Sequence, residues 1–504
     1  MAKSRRPRTV DRTKARVKMD PALARALELL RQGRPVEAER IADRAVAARP
    51  RDGAAARVKG LAAMQRGRYE EAETWLTRAG KLDPRNPAAF LDRASVHRYR
   101  GRYEDMIASA REALRIRPGL RPAEVMLARA LESAGRPEAA LEQIRKIGAR
   151  RSLDPDLGDV LVTVLDLLGR DEEALDAATG LLAASGVPAP IRRSVGLRRG
   201  RILERRGDLD GALAAWEAAQ GEIAVAFDPD AFDRRLDEVA EATTIDGTSS
   251  FQTPSDAVIP ILIAAMPRSG TSLLERMIAV GSGVVGIGEA PVATQVIRDH
   301  REELGEDSMM GLLTADPAML ERLRGDLRRR LAGLAPRATH AVSKHLQNWL
   351  QLPTYARLAP EAPIVRLHRD PVAVGVSIYG QDLPVDRMPW ATRLEWIGRV
   401  VSAERRFTER MRSIVPNPWI DLPFEEVLGD PEATMRRVFD GIGLPFDEAC
   451  LAHQESEAGG SRPGRRFMPT LSLHQVRRPI DPALGTRGDA WAGRLDALRR
   501  GMGD

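Results

Sequence analysis

The sequence predicts two joined architectures, an α-solenoid of helical repeats followed by an α/β domain with a central parallel sheet. Three observations support this: a 34-residue period in the first half, and two later apolar runs that each end in a tight, helix-starting turn. With 504 residues, the chain is long enough for more than one domain. We expect a basic disordered arm over 1–18, repeats over 19–226, a linker over 227–257 and the α/β domain over 258–504.

Composition narrows the class of protein. Apolar residues make up 43% of the chain, and the single cysteine, Cys450, excludes an intrachain disulfide and fits a reducing compartment. The longest apolar run, residues 257–266, is too short to span a bilayer, and the first residues lack the apolar segment of a signal peptide. We therefore expect a cytoplasmic protein.

The basic character of the chain is concentrated in the arm. Residues 1–18 carry eight Lys or Arg against one acid, Asp11, which gives +7, the same value as the net charge of the whole chain. Such an arm is usually solvated and disordered. Nucleic-acid or anionic-lipid binding by the arm is the weaker alternative.

The repeats are marked by glycines, alanines and prolines at fixed spacing. The glycines are Gly33, Gly67, Gly101, Gly135 and Gly169, with a sixth copy at Gly207. We expect each glycine at a helix–helix turn with positive φ, an alanine five residues later in most copies at a close helix contact, and Pro50, Pro84 and Pro118 after second helices. The pattern resembles five to six tetratricopeptide repeats. Such arrays present a concave surface to a peptide or protein, or form a rigid arm that supports a domain or a dimer.

The first apolar run leads into a candidate phosphate site. Residues 261–266 read as a buried strand, the next four as a tight turn and the following segment as a helix. The candidate residues are Pro267, Arg268, Ser269, Gly270, Thr271 and Ser272. The N–H groups and macrodipole of a helix N-terminus favour an anion, Gly270 permits close approach, and Arg268 and the hydroxyls add donors. The alternative is an ordinary turn with hydroxyl caps.

The second apolar run predicts a similar corner. Residues 364–367 read as a strand, Asp370 as a helix N-cap and Pro371 as the first helical residue. This puts Arg369 at the carboxyl end of a strand, where α/β sheets bind ligands, and Ser377 facing out two turns along the helix. The two corners can hold two phosphates of one ligand.

These two motifs, PRSGTS and RLHRDP with its later serine, resemble the sulfotransferase superfamily, in particular tetratricopeptide-repeat and tyrosylprotein sulfotransferases. The resemblance continues through 419–447 and covers nearly all of 258–495. It implies a P-loop-like sulfotransferase domain that uses 3′-phosphoadenosine 5′-phosphosulfate (PAPS) as co-substrate and no metal. It also implies that the first corner holds the 5′-phosphosulfate, while Arg369 and Ser377 hold the 3′-phosphate.

The same resemblance implies roles for single residues. Arg268 would hold the sulfuryl group, Glu289 would be the general base, Lys344 would stabilise the transition state, Ser472 would contact the same oxygens, and Arg487 would lie near the phosphates. Glu289 follows Gly-Ile-Gly, which we read as a bend. The family frame Asp-Lys-Met-Pro is replaced by Ser343-Lys344-His345-Leu346, which makes His345 an alternative base.

The function expected from these features is sulfuryl transfer from PAPS to a hydroxyl, and the repeats favour a peptide or protein acceptor by analogy. Three alternatives remain: a repeat scaffold whose PAPS-binding domain is inactive, a nucleotide-dependent kinase, and a nucleic-acid binder that uses the basic arm. The missing Gly-Lys-Ser/Thr ending of a Walker A loop counts against the kinase.

Overall fold

A computed structural model describes residues 20–244, 254–452 and 485–503. The basic arm, Ser472 and most of the Ser/Thr-rich part of the linker lie outside these ranges. The chain divides into two compact units between Arg136 and Pro137. The first unit contains α1 (Pro21–Arg31), α2 (Pro35–Ala48), α3 (Gly53–Gln65), α4 (Tyr69–Leu82), α5 (Pro87–Tyr99), α6 (Tyr103–Ile116) and α7 (Arg121–Ser133).

The second unit begins with six more helices. They are α8 (Pro137–Gly148), α9 (Pro155–Leu167), α10 (Asp171–Ala183), α11 (Ala189–Arg205), α12 (Leu209–Gln220) and α13 (Pro229–Ala242). Helix α13 lies within the segment 227–257 that the sequence predicts as a linker.

The spacing of glycine, alanine and proline has the structural meaning that the sequence predicts. The glycines separate successive helices with φ of 70° at Gly33, 75° at Gly67, 66° at Gly101, 75° at Gly135, 68° at Gly169 and 83° at Gly207. The alanines five residues later are fully buried at Ala38, Ala72, Ala140, Ala174 and Ala212. Pro50, Pro84 and Pro118 each follow the end of a helix. Tandem helical repeats are therefore confirmed.

The rest of the second unit surrounds a five-stranded sheet. Its strands are β1 (Ile259–Ala264), β2 (Val284–Gly288), β3 (His340–Ser343), β4 (Ile364–His368) and β5 (Trp419–Pro423). The helices are α14 (Thr271–Ile278), α15 (Val292–Asp299), α16 (Arg301–Leu304), α17 (Ser308–Leu313), α18 (Pro317–Leu334), α19 (Leu352–Leu358), α20 (Pro371–Tyr379), α21 (Leu394–Arg412), α22 (Phe424–Gly429), α23 (Pro431–Gly441), α24 (Arg487–Trp491) and α25 (Asp496–Met502). Short 3-10 turns cover Asn348–Gln351, Pro389–Thr392 and Glu448–Cys450.

The sheet order is β2-β3-β1-β4-β5, and every neighbouring pair is parallel. The predicted parallel sheet is thus confirmed. The chain reaches β2 and β3 on one side of β1 before it crosses to β4 and β5 on the other side. This change of direction is the topological switch point where α/β sheets bind ligands, and it lies at the carboxyl ends of β1 and β4.

Side chains alternate between the two faces of β1. Ile261 and Ile263 belong to a core shared with α14 and α23, whereas Leu262 and Ala264 belong to the core on the opposite face. That second core extends into α11 and α12 through Leu197 and Trp216. Repeat helices therefore contribute to the hydrophobic core of the α/β domain.

The segment before Glu289 is an irregular part of a strand. Gly286, Ile287 and Gly288 belong to β2, whose register against β3 shifts between Gly286 and Gly288, and Gly288 has φ of 61°. The expected bend is therefore a bulge within a strand. Gly286 is needed for packing, because a Cβ there would lie 2.9 Å from Oε1 of Glu275. Across the described ranges, no helix is long and apolar enough to cross a membrane.

Candidate active site

The first corner joins β1 to α14 through residues 265–270. Gly270, the N-cap of α14, has φ of 100°, and Arg268 has φ of 73°, which is unusual for a residue with a side chain. A glycine N-cap supplies no side chain to the first N–H groups of the helix, which remain oriented toward the corner. Such strained backbone is typical of ligand sites.

Close packing also requires a glycine at position 270, in addition to its positive φ angle. A Cβ at this position would lie 2.2 Å from Cε2 of Phe424, the first residue of α22. The same ring lies 4.9 Å from Cζ of Arg369, in a cation–π contact. Phe424 therefore supports both corners. Sequence analysis missed it, and no local motif indicates it.

The second corner has the predicted local structure. Asp370 is the N-cap of α20 and accepts from the backbone N–H of Ala373 at 2.6 Å, and Pro371 is the first helical residue. Arg369 lies between the end of β4 and this cap. Its Nη1 donates to the backbone carbonyl of Arg268 at 3.4 Å, so the two corners meet.

Ser377 lies between the corners and does not face outward as expected. It is 6% exposed, and its Oγ accepts from Nε of Arg268 at 3.1 Å. The expectation of an outward serine is wrong because α20 packs this face against the first corner. In consequence, one arginine side chain connects the two predicted phosphate sites.

Positive charge is concentrated at the corners. Burial lowers the pKa of Arg268 to about 10, with further lowering by Arg487 and Arg369, while Glu289 opposes the shift. Burial and then Arg487 also lower the pKa of Arg369. Three guanidinium groups that repel one another in a partly buried site favour a multiply charged anion.

Glu289 and Lys344 form an ion pair at the adjacent strand ends. Nζ of Lys344 donates to Oε1 of Glu289 at 2.9 Å, and the Lys344 side chain is 1% exposed while that of Glu289 is 29% exposed. The pair follows β2 and β3 directly. The predicted base is thus accessible, and the predicted cation is fixed beside it.

Asn348 fixes the backbone next to Lys344, in the segment that departs from the family motif. Nδ2 of Asn348 donates to the carbonyls of Ser343 at 2.9 Å and Ile263 at 3.1 Å, which ties the end of β3 to that of β1. Burial lowers the pKa of His345, the alternative base, to about 4. A group with that pKa is a weak proton acceptor near neutral pH.

Glu275 on α14 is a buried carboxyl group that sequence analysis missed. It is 3% exposed, and its Oε1 accepts from the backbone N–H of Gly288 at 2.7 Å. Burial raises its pKa to about 7, although Lys344 pulls the pKa down. Glu275 therefore fixes the end of β2 next to Glu289. The signal available in the sequence was an acidic residue between Leu274 and Arg276 in an amphipathic helix.

The remaining candidate residues lie in the first corner, at the start of α24, or outside the described residues. Pro267, Ser269 and Ser272 are buried in the first corner, and Thr271 is half-buried at the start of α14. Arg487 begins α24, and its Nε and Nη2 donate to the carboxylate of Glu204 on α11 at 2.9 and 2.7 Å. Ser472 is outside the described residues, so its predicted role stays a prediction.

Comparison with protein families gives two matches in this one chain. A sulfotransferase family model matches residues 260–448, and a tetratricopeptide repeat model matches residues 23–87. The chain therefore combines the two parts of a tetratricopeptide-repeat sulfotransferase, the family that its motifs predict. The family implies a sulfate donor and an acceptor.

The individual proteins and solved structures that resemble this chain have low sequence identity to it. An uncharacterized protein of Aquifex aeolicus (strain VF5) is 26% identical over 367 residues, which cover 70% of this chain and 46% of that protein. The chain thus spans about half the length of this curated relative. Among solved structures, the APC/C hetero-tetramer Cut9–Hcn1 has a TM-score of 0.36 and 16% identity over 41% of this chain and 40% of that chain. A thermophilic tetratricopeptide repeat protein of Thermus thermophilus, TTC0263, has a TM-score of 0.31 and 18% identity over 36% of this chain and 97% of that chain. These scores are too low to support a functional conclusion.

Proposed function

We propose that the protein transfers the sulfuryl group of PAPS to a hydroxyl acceptor. The observation that supports this most strongly is the meeting of the two corners, where Nη1 of Arg369 reaches the carbonyl of Arg268 and Nε of Arg268 reaches Ser377. A nucleotide with phosphate groups at both its 3′ and 5′ positions suits two adjacent cationic corners.

The proposed reaction is an in-line displacement at sulfur. The acceptor oxygen forms a bond to sulfur, the bond from sulfur to the 5′-phosphate oxygen breaks, and adenosine 3′,5′-bisphosphate leaves. Glu289 takes the hydroxyl proton as general base. Arg268 and Lys344 stabilise the negative charge that develops on the transferring and leaving oxygens.

Glu289 is preferred over His345 as the base for two reasons. The side chain of Glu289 is 29% exposed and lies near Arg268 of the first corner, so an acceptor can reach it. The pKa of His345, lowered to about 4 by burial, makes its imidazole a poor proton acceptor near pH 7.

For the acceptor we propose a hydroxyl group from one of three chemical classes. Peptide tyrosine, carbohydrate and small-molecule hydroxyls all fit the chemistry, and the repeats favour a peptide or protein by analogy with other such arrays. The experiment is to incubate the full chain with ³⁵S-labelled PAPS and a tyrosine peptide, an oligosaccharide or a small phenol, and to follow label transfer and release of adenosine 3′,5′-bisphosphate.

Transfer to one acceptor class is the expected result. Glu289→Gln should lower turnover by about 10²–10⁴-fold and leave nucleotide affinity unchanged. Glu409→Gln, on the exposed part of α21, serves as the control and should behave like the wild type. Saturable nucleotide binding without transfer to any acceptor would instead support the inactive scaffold, and phosphoryl transfer from Mg²⁺·ATP would support the kinase.

A further inference from the structure

The last helix pair of the repeats, α11–α12, contacts residues of the cationic corners. Glu204 on α11 accepts from Nε and Nη2 of Arg487 at 2.9 and 2.7 Å, and from Nε1 of Trp491 at 3.1 Å. One carboxylate of the repeats therefore holds side chains from both ends of α24. Its side chain is only 16% exposed.

Arg201 lies one turn before Glu204 on the same helix. Its Nη1 donates to the carbonyl of Gly380 at 2.8 Å, directly after α20, the helix that carries Ser377. Burial lowers the pKa of Arg201 to about 9, and the positive charges of Arg198 and Arg268 lower it further. The guanidinium of Arg201 is thus within electrostatic reach of the first corner.

Helix α24 packs against both the last helix pair and the second corner. The Trp491 ring stacks on Trp216 of α12 with 5.4 Å between centroids. A Cβ at Gly488 would lie 2.1 Å from Oδ1 of Asp370, so α24 approaches the N-terminus of α20 closely. This approach places Arg487 beside Arg369, whose pKa it lowers.

We propose that the last helix pair is part of the nucleotide site. Glu204 is a positioning residue that directs the guanidinium of Arg487 toward the bound phosphates, and Arg201 adds a further cation. This inference rests on the proposed function. A bidentate carboxylate fixes the plane and direction of an arginine, which lowers the entropy lost when that arginine binds a phosphate. The repeats would then be needed for donor binding and would not serve acceptor docking alone.

Removing the charge of Glu204 distinguishes a positioning role from simple neutralisation of Arg487. If Glu204 merely neutralised Arg487, Glu204→Gln would strengthen phosphate binding by removing a competing anion. If Glu204 positions Arg487, the same change weakens binding, because the neutral amide holds the arginine less firmly. The sign of the change therefore separates the two roles.

The test is calorimetric titration of the full chain with adenosine 3′,5′-bisphosphate. Glu204→Gln should raise the Kd about tenfold, and Arg201→Met should raise it by about three- to tenfold. Glu222→Gln and Arg192→Met are the controls, because Arg192 of α11 also donates through Nε and Nη2 to a nearby carboxylate, at 2.9 and 2.6 Å. Both of these bonds end on Oε2 of Glu222, whereas Arg487 is held by both carboxylate oxygens of Glu204. Both controls should stay within about twofold of the wild type.

A double-mutant cycle separates positioning from general damage to the fold. In an Arg487→Met background, Glu204→Gln should cause no further loss of affinity. Wild-type or tighter binding by Glu204→Gln, with a wild-type protein that binds the nucleotide, overturns the inference and leaves the proposed function standing. A wild-type protein without saturable binding overturns both. If Glu204→Gln does not fold, an unchanged Kd for Arg201→Met overturns the inference by itself.

Discussion

Two helix pairs of the repeats share one local design and differ in what their charged side chains contact. The pairs α3–α4 and α11–α12 both turn at a glycine with positive φ and both bury the alanine five residues later. On α3, Arg57 pairs with Asp92 of α5, and Arg66 at its C-terminal end pairs with Glu39 of α2, so these ion pairs connect repeat helices to each other. On α11, Glu204 holds Arg487 and Arg201 holds the backbone after α20.

The difference shows how a repeat acquires a second role. The glycine and alanine positions determine the helix pair, and they are the same in both regions. The residues on the outer faces of the helices are not determined by the repeat pattern. They can therefore contact another part of the chain. In α11 they contact the elements that carry the candidate nucleotide residues.

The largest expected difference concerns one tryptophan in each pair. Trp216 is 1% exposed, stacks on Trp491, and fills space left by Gly200, where a Cβ would lie 2.2 Å from its Nε1. Trp216→Ala should lower the free energy of unfolding by about 3–5 kcal/mol and also weaken nucleotide binding. Trp75→Ala on α4 removes a partly buried ring that contacts Lys59 and Arg78 and should leave nucleotide affinity unchanged. Denaturant unfolding and nucleotide titration of both variants measure this, and equal effects on affinity would contradict it.

A smaller change in the free energy of unfolding is expected from the titration of Glu275, which lies on α14 and fixes the end of β2. Its pKa rises from 4.5 to about 7 in the folded protein, so between these pH values the folded state keeps a proton that the unfolded chain has lost. The free energy of unfolding therefore falls as pH rises through this window, by about 1.4 kcal/mol for each unit of pKa shift.

Glu275→Gln should remove this fall, because the amide stays neutral and still accepts from Gly288. The measurement is the free energy of unfolding from pH 5 to pH 8 in both proteins. Glu404, whose pKa burial also raises to about 7, is present in both, so the difference between the two curves reports Glu275. Parallel curves would show that the carboxyl group titrates normally in the fold.

The smallest effect is expected at the turn glycines, where the repeats should behave alike. Gly33 and Gly207 have φ of 70° and 83°, and no atom lies within 4 Å of a Cβ built at either position. Alanine at each should therefore cost about 1 kcal/mol through backbone strain alone. Thermal unfolding checks this, and a much larger cost at Gly207 would indicate that the last helix pair is constrained at its turn as well.

The sequence predicted the features that depend on short spacing. The glycine period predicted the helical repeats, and Asp370 with Pro371 predicted the start of α20, because caps and turns are determined by a few neighbouring residues. The two corners were found because each one is a continuous motif.

Contacts between distant segments could not be predicted in the same way. Arg487 and Glu204 are 283 positions apart, and neither lies in a pattern that indicates the other. The Phe424 ring that requires glycine at 270, and the inward orientation of Ser377, likewise depend on how α20 and α22 pack. The bend expected at glycines 286 and 288 is a bulge within β2, and its place in the strand depends on the buried Glu275, which accepts from the N–H of Gly288.

The central claim is that two corners bind the two phosphate ends of one nucleotide. The most direct test is to titrate the wild-type protein and Arg369→Met with adenosine 3′,5′-bisphosphate and with adenosine 5′-phosphate. The wild type should prefer the bisphosphate by at least about tenfold, and Arg369→Met should lose most of that preference while its affinity for the monophosphate changes little. Equal affinity of the wild type for both nucleotides, or no saturable binding of either, would contradict the claim.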